Sequence, residues 1–437
     1  MKILFVISQV TASLLLLVST RSALLAQNGA IQLTLKGGWA SPSEPVRKVQ
    51  VAGSYAYLVA GDTGLQVLDV SSPTNPVPLG RYDAVQRING IHVVGLHAFL
   101  ATGGSITDTH PGRLEIPDVS QPTNLVFLSG IETRERANNV CVTENLAYVA
   151  EGTWWCEPNR VGAVEIFSVT NPAHPTVVGR YDASEPVNDM KVVDGYAYLA
   201  GGGAALTILD VSDSRSPVWV GEFSTNNISG GEVHGLAIEL NDQYAFLSSG
   251  ECSFNPEGFF ILDIRDRSRP LLISEFSPFS EGALDYGLSV HVVEHFAFVV
   301  VQAYDPDTGL FDFLFFFVAD PSNLSTLADL MHHALGRFNE PASLVDLQLA
   351  NGHAYMAVTG GLLVYEFTEL PYFKSISQNA ENIALTWNTL PGLKLQSSPS
   401  LTNPDWTDVP GSLGTNRIEL PRDGEARFFR LVQPASP

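Results

Sequence analysis

The stretch YAYLVAGDTGLQVLDVSSPTNPVPLG, residues 55–80, decides how this chain is read. Two alternating runs are joined by a glycine turn and closed by a proline-rich one, which is the signature of short antiparallel strands separated by tight turns. Near-copies follow, among them YAYLAGGGAALTILDVSDSRSPVWVG at 196–221 and HAYMAVTGGLLVYEF at 353–367. The alanine of each copy falls at Ala56, Ala98, Ala147, Ala197, Ala245, Ala297 and Ala354. Spacings of roughly 40–60 residues belong to propellers and arrays.

One unit holds RKVQVAG (47–53), YAYLVA (55–60), LQVLDV (65–70) and VPLGRYD (77–83), four strands with period-two patterning. Such a sheet has apolar residues on both faces and cannot bury them alone, whereas sheets stacked around an axis can. Seven markers predict seven blades. The seventh unit lacks a copy of VPLGRYD, and LTLKGGWAS (33–41) supplies a match, with Gly37 and Trp39 spaced as Gly80 and Tyr82. The same pair recurs as Gly179/Tyr181, Gly221/Phe223 and Gly336/Phe338. The expected fold is all-β: a seven-bladed β-propeller over residues 27–370, closed by the N-terminal strand so that no sheet edge stays open, followed by a small β-sandwich domain. Ile31, Leu33 and Leu35 alternate and are expected to bury one face of the closing strand.

The segment GLQVLDVSSPTNPVPLG resembles the LVIVD repeat, a propeller-forming motif of exported bacterial and archaeal proteins. The resemblance covers about residues 31–367 and is best in units one and four. Units three, six and seven depart from it, with Ser168, Phe317 and Glu366 where Asp69, Asp118, Asp210 and Asp263 stand. It implies a fold and an extracytoplasmic setting, and it carries no reaction. The recurring aspartate precedes a turn, where its carboxylate is expected to accept backbone N–H groups rather than bind a ligand.

Lys2, an apolar run and a small-residue end near Ala26 have the layout of an export signal over residues 1–26. The mature chain is therefore expected to be secreted, periplasmic or on the cell surface. The chain has 24 basic and 46 acidic residues, a net charge of -22. Loss of Lys2 and Arg21 with the signal leaves 22 and 46, or -24. Such a surface repels nucleic acid and anionic lipid. Three cysteines are too few for a disulfide scaffold, although Cys156 and Cys252 occupy equivalent loops and are candidates for one bridge.

Residues 371–437 carry IALTW, LKLQSS, WTDVP, RIEL and RFFRLV, the alternation of a small β-sandwich. This tail resembles short C-terminal modules of secreted bacterial proteins through Leu385–Trp387, Leu401–Val409 and Phe428–Leu431. It is expected to be an accessory or surface-attachment unit, with Trp387, Trp406, Phe428 and Phe429 in its core.

Connections between the second and third strands are long in four units: TGGSITDTHPGR, EGTWWCEPNRVG, SGECSFNPEG and VQAYDPDTGLFD. Binding residues concentrate in loops, so this face is the expected functional one. Trp154, Trp155 and Tyr304 are its candidate stacking side chains. Asp305, Asp307 and Asp312 with Gly309 suggest calcium, although Pro306 breaks the usual loop.

The first strand of each unit should line the axis. Aligned by unit, its apolar position reads Val49, Ile91, Val140, Met190, Leu236, Val290 and Leu347. The next reads Gln50, His92, Cys141, Lys191, Ala237, His291 and Gln348; the preceding ones include Asn139 and Asp189, then Asn89 and His234. A channel mouth bearing Asn89, His92, Asn139, Asp189, Lys191, His234 and His291 follows, with water filling as the plain alternative. The common catalytic signatures are missing. The leading expectation is a monomeric, non-enzymatic scaffold that offers its long-loop face to a protein or glycan partner. The alternatives are a hydrolase or lyase for a polysaccharide or small molecule, using His92, His234 or His291 with Asp189, and a purely structural envelope component.

Overall fold

The computed structural model describes residues 14–19, 22–25, 31–42, 44–104, 111–153, 161–202, 205–224, 234–241, 243–250, 259–276, 286–293, 296–305, 310–318, 344–369, 371, 373–378, 381–399, 404–421 and 427–433. All regular structure among them is β, and the chain divides into one unit of residues 34–366 and another of 1–33 with 367–437.

The larger unit is a propeller-like series of antiparallel sheets. The first is built from Val46–Ala52, Tyr55–Ala60, Gly64–Asp69 and Val77–Asp83, hydrogen-bonded in chain order. Four further sheets repeat that order; the sixth has three described strands, and the position of its expected fourth lies outside the described residues. In the seventh, Leu344–Ala350, His353–Val358 and Gly361–Glu369 are followed by Ile31–Ala40, so the N-terminal strand does take the fourth place. Consecutive first strands touch, and Leu344–Ala350 also lies against Val46–Ala52 of the first sheet.

The first four sheets bury both faces against their neighbours. One cluster joins Leu58, Leu68 and Val46 of the first sheet to Tyr355, Leu362 and Val364 of the seventh; another joins Tyr57 and Leu65 to Leu100 of the second. The recurring aspartates are turn caps: Asp69 Oδ1 accepts from the Ser71 amide at 2.8 Å, Asp118 from Ser120 at 2.8 Å, and Asp210 from Ser212 at 2.9 Å. Hydrogen bonds from the hydroxyls of the same serines, and second these amide bonds, hold all three carboxyls below the usual range.

The glycine of each fourth strand also has a cause. A Cβ on Gly80 would lie 2.5 Å from the Pro122 carbonyl oxygen, one on Gly179 2.0 Å from Ser214 O, one on Gly221 2.4 Å from Arg267 O, and one on Gly37 2.6 Å from Thr74 O. The proline-rich turn of the following sheet docks on that glycine, and Gly37 receives the turn of the first sheet. In the second sheet Ser129 holds the position and donates to Pro172 O. Gly179→Ala is therefore expected to cost about 1–3 kcal/mol, because backbone stands in the way of the added methyl. Urea unfolding should show a lower midpoint at unchanged slope.

One expectation needs correction. Leu35 is 53% exposed, so it does not bury the closing strand; that part falls to Trp39, which packs on the cluster of the first and seventh sheets. In the first five sheets the fourth strand carries a bulge beside that glycine or its serine equivalent, which breaks the alternation, so a residue two before the glycine need not share its inward side. Within the apolar leader, Leu14–Ser19 and Ser22–Leu25 form strands, with Leu16 opposite Phe429. The leucine-rich run is long enough for a strand, and Arg427–Val432 offers an edge to receive it.

In the smaller unit those strands extend a five-stranded sheet with Arg427–Val432, Lys394–Ser398 and Thr407–Asp408, and a three-stranded sheet holds Phe373–Gln378, Asn382–Trp387 and Arg417–Pro421. Trp387 and Phe429 are core residues, while Arg430 stacks 4.5 Å above the Trp406 ring.

Candidate functional site at the axis

A strand at the inner edge of a sheet has backbone N–H and C=O groups with no ladder partner, and each buried one must find another. Here side chains of the preceding sheet supply them. At the outermost of three levels, Arg47 donates to Ile88 O (3.1 Å), Asn89 to Ala137 O (2.8 Å), Asn138 to Val187 O (2.9 Å) and Asn188 to Gly235 O (2.8 Å). At the next, Asp346 accepts from the Val49 amide (2.9 Å) and Asp189 from Ile238 (3.0 Å). At the third, Gln348 accepts from Val51, Gln50 from Val93 (2.8 Å), His92 Nδ1 from Val142 (3.1 Å) and Cys141 from Val192. The bonds from Asp346 and Gln348 run from the seventh sheet to the first.

Asn89, His92, Asn139 and Asp189 are thus engaged in stitching. Asn139 donates to Asp189 Oδ1, which also accepts from the Met190 amide at 2.8 Å. Burial, with a smaller push from Lys191, lowers the His92 pKa to about 4, so the ring is neutral at physiological pH and its Nδ1 is free to accept. Burial raises the Asp189 carboxyl against the opposing pull of Lys191.

The pattern breaks at Lys191. A lysine has no acceptor to offer the next strand, and its Nζ instead lies 2.6 Å from Glu239 Oε1, with His291 Nδ1 3.6 Å from the same oxygen. These three side chains hold the same level in the fourth, fifth and sixth sheets. Burial, the largest single effect, works against charge on both Lys191 and Glu239, and is outweighed only by neighbours acting together: Glu239 and Asp189 raise the lysine, and Lys191 and His291 lower the glutamate. With Lys48, Asp189 and Asp346 they line an axial cavity of about 230 Å³.

Glu239 is the residue that reading the sequence missed. Leu236 and Ala237 were assigned to the fifth strand's apolar and polar positions, and the structure puts Ile238 and Glu239 there, Ile238 opposite Leu247 as Val49 is opposite Leu58. A shift of two residues leaves every side chain on its own face, so the alternation LAIEL reads equally well either way. The hairpin length was the available signal, since Leu240 to Ala245 spans what Val51 to Ala56 spans. The same correction moves His234 off the axial levels; its backbone pairs with Gly250 at the far end of the strand.

Trp154, Trp155, Asp307, Cys156 and Cys252 lie outside the described residues. Tyr304 is placed in a strand opposite Phe311, Asp305 opposite Leu310 and Asp312 opposite Ala303, by backbone alone. Among the described residues no three His, Cys, Asp or Glu side chains converge on a metal position, and no helix is long and apolar enough to cross a membrane.

The LVIVD repeat model matches residues 45–84 and 186–225, the first and fourth sheets. No curated protein matches the chain. Among solved structures the chain is similar to the WD40 β-propeller domain of Doa1 (12% identity, TM-score 0.49, 78% of this chain and 97% of that one). It is also similar to BamB from Moraxella catarrhalis (12%, 0.45, 77% and 91%) and to the computationally designed Ika8 protein (8%, 0.46, 76% and 99%).

Proposed function

We propose that this is an exported, seven-bladed propeller, closed as a ring by residues 31–40, that acts as a non-enzymatic scaffold and presents its long-loop face to a protein or glycan partner. One observation carries the reading: most polar side chains of the axis, His92 and Asp189 among them, are engaged in joining one inner strand to the next. A base or nucleophile must be free to meet substrate, and His92 and Asp189 are instead held by neighbouring amides. This favours the scaffold over the hydrolase or lyase, and it leaves the long connections as the surface that varies most between units. Calcium at Asp305, Asp307 and Asp312 belongs to the same proposal, as does cleavage after the leader.

The test is a glycan array and a protein cross-linking screen with the mature chain, residues 27–437, beside a variant carrying Trp154→Ala and Trp155→Ala. Retention on the array or a discrete cross-linked partner, weakened at least tenfold in the variant, is the expected outcome. Release of cleaved glycan by the wild type, or retention indifferent to both tryptophans, overturns the reading.

A further inference from the structure

The third and fourth sheets leave a groove between them at the place where the first and second bury a carboxylate. In the first sheet the Tyr82 hydroxyl donates to Glu115 Oε1 and the Val85 amide to Glu115 Oε2 at 3.3 Å, so one fully buried carboxylate from the second sheet plugs the gap. The third sheet repeats the donor segment, GRYDA at 179–183 for GRYDA at 80–84, and sets Tyr181 and Ser184 where Tyr82 and Val85 stand. The plug is what changes. Glu115 pairs across its sheet with Leu100; the residue that pairs with the matching Leu199 is Thr207. A threonine hydroxyl ends two bonds short of a glutamate carboxylate. Among the described residues neither the Tyr181 hydroxyl nor the Ser184 amide has an acceptor of the Glu115 kind.

The space so vacated is about 110 Å³, lined by Tyr181, Ser184, Glu185, Thr207, Trp219 and Glu222. Trp219 is 51% exposed, a large apolar ring left at the mouth. Donors on one wall, carboxylates on another and an indole beside them suit a ligand that accepts and donates hydrogen bonds around an apolar ring face. Carbohydrate hydroxyls do both, and a pyranose face stacks on indole. A uronic acid would place its charge beside Glu185 and Glu222 and be refused.

We infer that the groove between the third and fourth sheets, opened by Thr207, is a subsite for one pyranose ring of a neutral glycan. It rests on the glycan half of the proposed function and deepens it. Residues 184–186 and 201–202 bring the groove to the end of the sheets where the long connections emerge, and the fourth unit's own connection there is short.

Titration calorimetry of the mature chain with cellotriose, maltotriose, N,N′-diacetylchitobiose and digalacturonic acid tests this. Binding of at least one neutral probe, without the acid, is expected. Trp219→Ala should weaken it at least tenfold. Thr207→Gln, which reaches as far as the plug of the second sheet without adding a third carboxylate beside Glu185 and Glu222, should abolish it with an unfolding midpoint no lower than the wild type's. Wild-type affinity in both variants overturns the groove and leaves glycan binding by the loop face standing. No neutral binding by the wild type overturns both, and preference for the acid overturns the charge argument.

Discussion

A chain that begins at residue 41 is expected to lose cooperative folding of its larger unit, whereas one that begins at residue 27 keeps it. The strand Ile31–Ala40 gives the seventh sheet its fourth member, and every backbone bond it makes to Gly361–Glu369 is lost with it. Trp39 leaves the cluster it shares with Val46, Ala56, Tyr355 and Leu362. The Ser41 amide bond to Gly360 O, 2.8 Å long, and the 2.7 Å pair of Lys36 with Glu366 lose their frame. The turn at Pro73–Thr74 loses the glycine it docks on. Removing the partly buried Trp39 costs at most about 3–5 kcal/mol and each backbone bond about 0.5–1.5, against a total stability of about 5–15 for a domain. Circular dichroism melts of 27–437 and 41–437 should differ by more than about 15 °C, or the shorter chain should aggregate through its open edge. Leu35→Asn, at a half-exposed position, should stay within about 0.5 kcal/mol of the parent. Melting of the shorter chain within a few degrees of the longer would show that the first and seventh sheets do not need this strand.

Raising the pH from 5 to 9 is expected to weaken the larger unit, and Glu151→Gln to abolish that loss. Glu151 and Glu165 lie side by side in the third sheet with side chains 0% and 3% exposed, and Arg180 is shared between them, 2.9 Å from one and 3.9 Å from the other. Arg180 also holds Asp182 at 2.6 Å, and Arg134 stands 3.7 Å from Glu165. The Glu135 amide donates to Glu151 Oε2 at 3.1 Å. Glu151 Oε1 and Glu165 Oε2 are buried without a protein donor, which is where one proton shared by the two carboxyls belongs. Burial first, and Glu165 second, push the Glu151 carboxyl up to about 8 against the pull of Arg180. An unfolded glutamate titrates near about 4.3. The folded state therefore binds a proton that the unfolded state has released across that window. The stability it confers is complete below the unfolded pKa and disappears as pH rises through the folded one. The loss is on the order of 3–5 kcal/mol at about 1.4 per unit, as an upper bound. A glutamine keeps the acceptor for Arg180 and offers Glu165 a permanent donor. Urea unfolding at pH 5, 7 and 9 should show the wild type falling relative to E151Q, with the variant the more stable at pH 9. Parallel curves would remove the shared proton.

The repeat itself was readable because it is local. Alternation in YAYLVA and LQVLDV, the aspartate before each turn and the Gly-x-aromatic pair are each set within a few residues by pleat, turn chemistry and steric room. They placed the strands and the turn caps, and they identified Ile31–Ala40 as the missing member of the last sheet. Period-two patterning is blind to a shift of two, so the fifth inner strand was misaligned and Glu239 overlooked. It is equally blind to the bulge that last strands carry beside their glycine, and Leu35 was misread for that reason.

What a polar residue on an inner strand does was decided by the tertiary structure alone. His92, Asn89 and Asp189 look like a channel mouth in sequence, but their partners are amides and carbonyls some 50 residues further along, brought near only by stacking. Lys191 differs from them because its partner is Glu239, and Tyr181 differs from Tyr82 because Thr207 is shorter than Glu115. Sequence fixes the chemistry of each side chain; whether that chemistry is satisfied or left over depends on the neighbouring sheet, and that is a fact of packing.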